Sequence, residues 1–193
     1  YIASSLGETI FGSDDNDYIV GSDGNDIIDS LDGSDLLVGG AGDDTYLVKG
    51  SVGRLDHDKI IEKAGEGIDL VKYSSFSNSH YYLDPNIENL ELLKYGTHAI
   101  GNDLDNHIYV TGIESASFQE TARNHLEGGA GNDVLEAGKG RDTLIGGTGN
   151  DTLYSGAELD FIEFSRGDGV DSITDEADGF HLTLRGIEPD EVS

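Results

Sequence analysis

The chain has 193 residues, of which 28 are glycine and 36 % are hydrophobic, a composition that argues against a thick globular core and for one or two thin, repetitive domains. A net charge of −28 argues against nucleic acid and anionic membrane surfaces as partners; no apolar run is long enough to span a membrane, and the lack of cysteine removes disulfide and thiol chemistry. Acidic, glycine-rich and poor in aromatics, the chain has the composition of a disordered polymer unless something other than apolar burial holds it together. It starts at Tyr1, contains no methionine and shows no signal peptide, so it is expected to be a piece of a longer protein.

Residues 12–47 repeat a nine-residue unit: Gly12–Val20, Gly21–Asp29, Ser30–Val38 and Gly39–Leu47. Asp17, Asp26, Asp35 and Asp44 stand at the sixth place, and Ile19, Ile28, Leu37 and Tyr46 at the eighth. Ala3–Phe11 is a worn copy with Glu8 and Ile10 at those places, and reads as a cap. Asp15 occupies a fourth place where glycine is usual, and aspartate tolerates a left-handed backbone better than most residues.

From Val48 to about Ile100 the repeat stops. Apolar residues return at strand-like spacing in 59–62, 69–72, 80–83 and 89–93, predicting strands that continue or cap the coil, with a turn at Asp84-Pro85-Asn86. Alternation of Asn89 and Glu91 favours a strand for 86–93, although a helix stays open there. At Gly101 the phase resumes, but Asn106, Ser115 and Asn124 replace aspartate and Leu104, Ile113 and Ala122 replace the fourth-place glycine. An isoleucine at positive φ is a genuine outlier, so Val110–Phe118 is either an inserted loop or a coil of different geometry. The phase puts His107 and His125 on one outward face.

Residues 128–163 then carry four further units, with Asp133, Asp142, Asp151 and Asp160 at the sixth place and Leu135, Leu144, Leu153 and Ile162 at the eighth. The flank after them mirrors the first one: Asp44–Val48 matches Asp160–Phe164, and Asp58, Ile60 and Glu62 match Asp171, Ile173 and Asp175.

Glycines at places one, two and four let the backbone bend sharply so that carbonyls converge. The three residues that follow run extended, and alternation turns only the middle one inward. Two units complete a coil, so units n and n+2 stack on one edge with their aspartates facing across a strand spacing of roughly 4.8 Å. Such carboxylates repel unless a cation lies between them, and hard oxygen ligands in a flexible cage suit calcium. One inward apolar side chain per unit is too little to order nine residues by itself, so metal binding and folding are expected to be one event.

The pattern G-G-x-G-x-D-x-U-x, with U apolar, resembles the calcium-binding nonapeptide of the RTX (repeats-in-toxin) family, and the eight units carry that resemblance. It implies an all-β fold, a parallel β-roll in two tandem arrays with strand flanks. The expected division is a first array over 1–50, a connecting β segment over 51–100, metal-free coils over 101–127 with asparagines hydrogen-bonding where calcium would sit, a second array over 128–163, and a truncated flank over 164–193. Each calcium is implied to lie between loops two units apart, bound by carbonyls of places one to four and by both aspartates. Carried over, the sites are Ser13, Asp15 and Asp17 with Ser30, Asp32 and Asp35; Ser22, Gly24 and Asp26 with Gly39, Ala41 and Asp44; Gly129, Gly131 and Asp133 with Gly146, Thr148 and Asp151; and Gly138, Gly140 and Asp142 with Ser155, Ala157 and Asp160. That makes about four or more ions. Serine at place two supplies only backbone oxygen and is expected to matter little, whereas Glu158 at place four departs most from the pattern. Partial sites are expected where Glu8 meets Asp26, where Asn124 meets Asp142, and where the last loops meet Asp58 or Asp168.

The resemblance further implies a secreted, extracellular bacterial protein, disordered without calcium and exported by type I secretion machinery. Toxin, adhesin and enzyme parents stay open, the last with this stretch as an accessory module of a lipase, protease or polysaccharide epimerase. The stretch itself is expected to be non-enzymatic: there is no H-E-x-x-H, G-x-S-x-G or P-loop. His107 and His125 read first as exposed strand residues, Asp84-Pro85 as an ordinary turn, and Tyr81-Tyr82 as exposed strand residues that could also meet a sugar.

Overall fold

The computed structural model describes residues 1–3, 6–50, 58–75, 78–112, 123–176 and 179–186, and among these every regular element is a strand. Successive strands fall alternately on two walls. One wall is a nine-stranded parallel sheet of β1 (Thr9–Phe11), β3 (Ile27–Asp29), β5 (Thr45–Lys49), β7 (Leu70–Ser74), β9 (Asn89–Leu92), β11 (His107–Val110), β13 (Val134–Glu136), β15 (Thr152–Gly156) and β17 (Ser172–Asp175), stacked in that order. The other comes in two parts. β2 (Tyr18–Val20), β4 (Leu36–Val38) and β6 (Lys59–Ile60) form one, and β8 (Ser79–Tyr82), β10 (Thr97–Ile100), β12 (His125–Ala130), β14 (Thr143–Thr148), β16 (Asp160–Ser165) and β18 (Phe180–Arg185) form the second. All pairings are parallel, so the chain is a β-solenoid. The strand reading of 86–93 is correct over β9.

The spine of the core is a double ladder. Ile28, Tyr46, Val71, Leu90, Ile108, Leu135 and Leu153 stack at matched positions of one wall, facing Ile19, Leu37, Ile60, Tyr81, Ala99, Leu126, Leu144 and Ile162 of the other, and all are buried. The eighth-place rule of the arrays therefore extends through the connecting segment. Val48, Tyr73, Leu83, Ile87, Leu92 and Ala137 are buried beside these rungs, and in the arrays the rung carries most of the apolar burial of its unit. Leu135→Ala is expected to lower unfolding stability by about 2–5 kcal/mol, measured by denaturant titration in saturating calcium.

Within the arrays, stacked strands are 18 residues apart. The step is 25 from β5 to β7 and 23 from β4 to β6, and 27 from β11 to β13. That last step exceeds the ordinary one by a whole unit. The nine-residue count is therefore kept across that step, while the wall on which each later unit falls is exchanged.

Candidate metal sites

Apart from Asp17, each sixth-place aspartate of the arrays reaches back to the preceding loop on its edge. Asp35 Oδ1 accepts the amide of Asp17 at 2.8 Å and Asp44 Oδ1 that of Asp26 at 2.7 Å. Asp151 and Asp160 do the same for Asp133 and Asp142, both at 2.8 Å. These are the four loop pairs read from the repeat. The second oxygen, Oδ2, of Asp35, Asp44, Asp133, Asp142, Asp151 and Asp160 is buried with no hydrogen-bond partner. A buried unpaired acceptor costs roughly 1–3 kcal/mol, more when charged, so a row of them fits a cation and little else.

Peptide oxygens enter the same gaps. A methyl group on Gly147, Gly149 or Gly156 would fall on the carbonyl of Gly129, Gly131 or Gly138, so oxygens of places two and four rise toward the next loop. One on Gly12 or Gly128 would meet the carbonyl of Ser30 or Gly146 at 2.5 Å, so place one points back. Gly40 closes in the same way on Ser22, and Gly42 on Gly24. Gly149 has φ 147° and Gly140 φ 125°, which only glycine adopts without strain. Third places are less free: the Thr148 carbonyl accepts the Gly131 amide at 2.9 Å, while the amides of Ala41 and Ala157 donate to Ser22 and Gly138 at 3.2 and 3.1 Å. Asp32 turns its carboxylate outward, 3.9 Å from Lys49 Nζ. Carboxylate and carbonyl oxygens converging from two loops are the donor set that suits calcium.

The arrays differ at place two. The Ser13 and Ser22 hydroxyls each donate to Oδ2 of their own Asp17 and Asp26 at 2.9 Å, and take the amides of Asp15 and Gly24. Serine there does more than lend a carbonyl, since it occupies the carboxylate oxygen that the second array leaves free. Asp15 is not left-handed, whereas Glu158 is, at φ 80°.

Acidic residues outside the eight units join these ladders, Asp58 and Glu8 among the expected partners and Asp69, Glu88 and Asp171 beyond them. Asp58 Oδ1 accepts the Asp35 amide at 3.1 Å and Asp69 Oδ1 that of Asp44 at 2.8 Å. Glu88 takes the Asp69 amide at 2.8 Å, and Asp171, rather than Asp168, takes that of Asp151 at 3.0 Å. Glu8 donates its amide to Asp26. The residual Gly-x-Gly-x-Asp at 65–69 and 167–171 was the available signal. Glu62 showed only as the flank match of Asp175; it accepts the Gly39 amide at 2.9 Å and the Tyr46 hydroxyl. Asp44, Glu62 and Asp69, all buried, bring carboxylate oxygens within 4.8 Å of one another, and Glu62 Oε2 lacks a partner as Asp44 Oδ2 does.

Burial is the main cause that raises Asp142, Asp133, Asp44 and Asp69 above the usual carboxylate range, with like-charged neighbours adding to it. Asp142 is pushed up to about 8, with Asp160 contributing, and Asp133 to about 7, with Asp151 contributing. Asp44 and Asp69 also lie near about 7, with Glu62 acting on both.

Asparagine replaces this chemistry between the arrays. Asn106 Nδ2 donates to the carbonyls of Ile87 and Glu88 at 3.0 and 3.2 Å, and Oδ1 accepts the Asn102 amide at 2.8 Å. Asn124 accepts the Gly96 amide at 2.9 Å and gives its own to Asp142 at 2.6 Å. The 27-residue step puts Asn106 and Asn124 on different edges; Ser115 lies outside the described residues.

The same step overturns the expected stacking of His107 on His125. His107 lies on β11 opposite Asn89 and Val134, 2.7 Å from Glu136, while His125 lies on β12 beside His98. Tyr81 is also not exposed: it is a rung of the core, and only Tyr82 faces out. Pro85-Asn86 is a turn, with Asp84 on the Ile60 amide at 2.9 Å.

A parallel solenoid whose coils meet through acidic, glycine-bent loops is a repeat protein of the cation-clamped kind. Residues 11–46, 127–162 and 138–173 match the RTX calcium-binding nonapeptide repeat, so the two arrays carry the repeats of that family. Calcium is the ion the family implies. The chain is also 32 % identical over 108 residues to the endo-1,3-1,4-beta-glycanase ExsH of Rhizobium meliloti (strain 1021), a match over 56 % of this chain and 20 % of that protein. It therefore spans about a fifth of the length of that relative.

Proposed function

We propose that calcium bound between loops folds this chain, making it a metal-built module of a larger exported bacterial protein. The observation that supports this is the row of buried carboxylate oxygens without hydrogen-bond partners. The ligands are the four loop pairs given above. Asp44, Glu62 and Asp69 add a further position where the first array meets the connecting segment, and Asp151 with Asp171 closes the second array. Asn106 and Asn124 carry their coils without an ion, because an amide can donate to the carbonyls that a carboxylate would repel. Where calcium is scarce, repulsion among the acids keeps the chain extended and fit for passage through a type I secretion channel; millimolar calcium outside then clamps loop to loop.

A second reading, an accessory module of a secreted polysaccharide-acting enzyme, draws support from the likeness to the glycanase. In both readings the stretch itself contributes no catalysis. Circular dichroism during a calcium titration tests the proposal. The β signal is expected to appear cooperatively and to vanish on chelation; a β signal indifferent to chelator would refute it.

A further inference from the structure

We propose a second kind of metal site, for a transition dication of the zinc class, on the outer face of the wall that holds β8, β10 and β12. Its ligands are His98, His125 and Glu127, with His80 beside them for a fourth position. The 27-residue step makes this site, since it sets β12 directly beside β10 and registers His98 with His125. β8 registers His80 with His98 on the other side. The three imidazoles form a column, with ring centroids 4.8 Å apart from His80 to His98 and 4.0 Å from His98 to His125.

Glu127 is two residues beyond His125 on the same strand and face, and its carboxylate falls with the ligand nitrogens of His98 and His125 inside a 4.8 Å cluster. His98 Nε2 is buried there without a hydrogen-bond partner. A zinc shell with bonds of about 2.0–2.1 Å places its ligand atoms roughly 3.4 Å apart, which rotations about the side-chain bonds supply while the strands stay fixed. Burial, and for His98 the adjoining imidazoles, hold the rings toward the neutral form that ligates metal.

Nitrogen donors separate this site from the calcium ladders. Imidazole suits zinc, copper and nickel, whereas the all-oxygen gaps between loops suit calcium. A bound ion would staple β10 to β12 where the repeat changes walls and stacked strands lie 27 residues apart.

The test is zinc binding by calorimetry on the whole chain kept in saturating calcium. Wild type is expected to bind one equivalent with a dissociation constant on the order of 10 μM or tighter. His98→Gln and His125→Gln are each expected to weaken it at least tenfold, His107→Gln to leave it unchanged, and none of the three to move the calcium midpoint. Absence of the zinc equivalent in wild type, or its persistence in both variants, would overturn the site. Should a variant fail to fold, wild type alone decides: cobalt must give the visible spectrum of a four-coordinate nitrogen-oxygen shell, and zinc must shift the ring resonances of His98 and His125. If the resonances do not move, the assignment is wrong.

Discussion

Asp151→Ala is expected to raise the midpoint of the calcium titration at least tenfold and to flatten its cooperativity, because this residue stands between two gaps. Its Oδ1 holds the Asp133 amide, its own amide is held by Asp171, and its Oδ2 is buried and free. Removing the carboxylate takes a ligand from the gap below and breaks the column into the gap above. It also strands the buried Asp133 amide, a loss of about 1–3 kcal/mol before any metal is counted, and tenfold in affinity corresponds to about 1.4 kcal/mol. Asp17→Ala is the contrast. Asp17 is only part-buried, and its Oδ2 is already engaged by the Ser13 amide and hydroxyl, so a shift of about threefold or less is expected. Equal shifts in the two variants would mean that the free Oδ2 oxygens are not what the ion uses.

Acidification should push the metal-free and the calcium-loaded chain in opposite directions. Without metal, folding raises Asp142 to about 8, Asp133, Asp44 and Asp69 to about 7, and Asp35 and Asp160 to about 6, chiefly through burial. An unfolded aspartate titrates near 3.9. Between about pH 4 and pH 8 the folded chain thus binds more protons than the unfolded one, and its stability falls as pH rises through that window. In chelator, lowering the pH from 8 to 5 is expected to increase β structure. Calcium competes with the same protons, so its midpoint should rise over that interval and its binding should release protons into a weakly buffered solution. A midpoint that stays constant from pH 5 to pH 8 would show that these carboxylates are not the ligands.

Much of the site was legible because it depends on local chemistry. An aspartate every nine residues, glycines flanking it and one apolar residue two places beyond are enough to put Asp17 with Asp35 and Asp133 with Asp151 on shared edges. The match of Asp58 with Asp171 was also visible, and both turn out to cap the last array loop on their edges. Asp69 was hidden only by the loss of one glycine from its motif. Glu62 was readable only as the counterpart of Asp175 in the second flank, not as a partner of Asp44. It enters the Asp44 cluster because β6 pairs with β4 after a 23-residue step, which no local pattern encodes.

The sequence by itself determined the unit: its length, its bend, its inward side chain and the position of its acid. Backbone freedom at glycine and alternation along three extended residues act over a few bonds. The tertiary structure alone decided which segments meet outside the arrays. Parallel strands pair through hydrogen bonds between distant segments, and a loop of seven or of twenty residues can leave the coil for nearly the same entropy, since closure grows only with the logarithm of length. That freedom let the stacked strands on either side of β11 stand 27 residues apart, parted His107 from His125, and placed His98 beside His125.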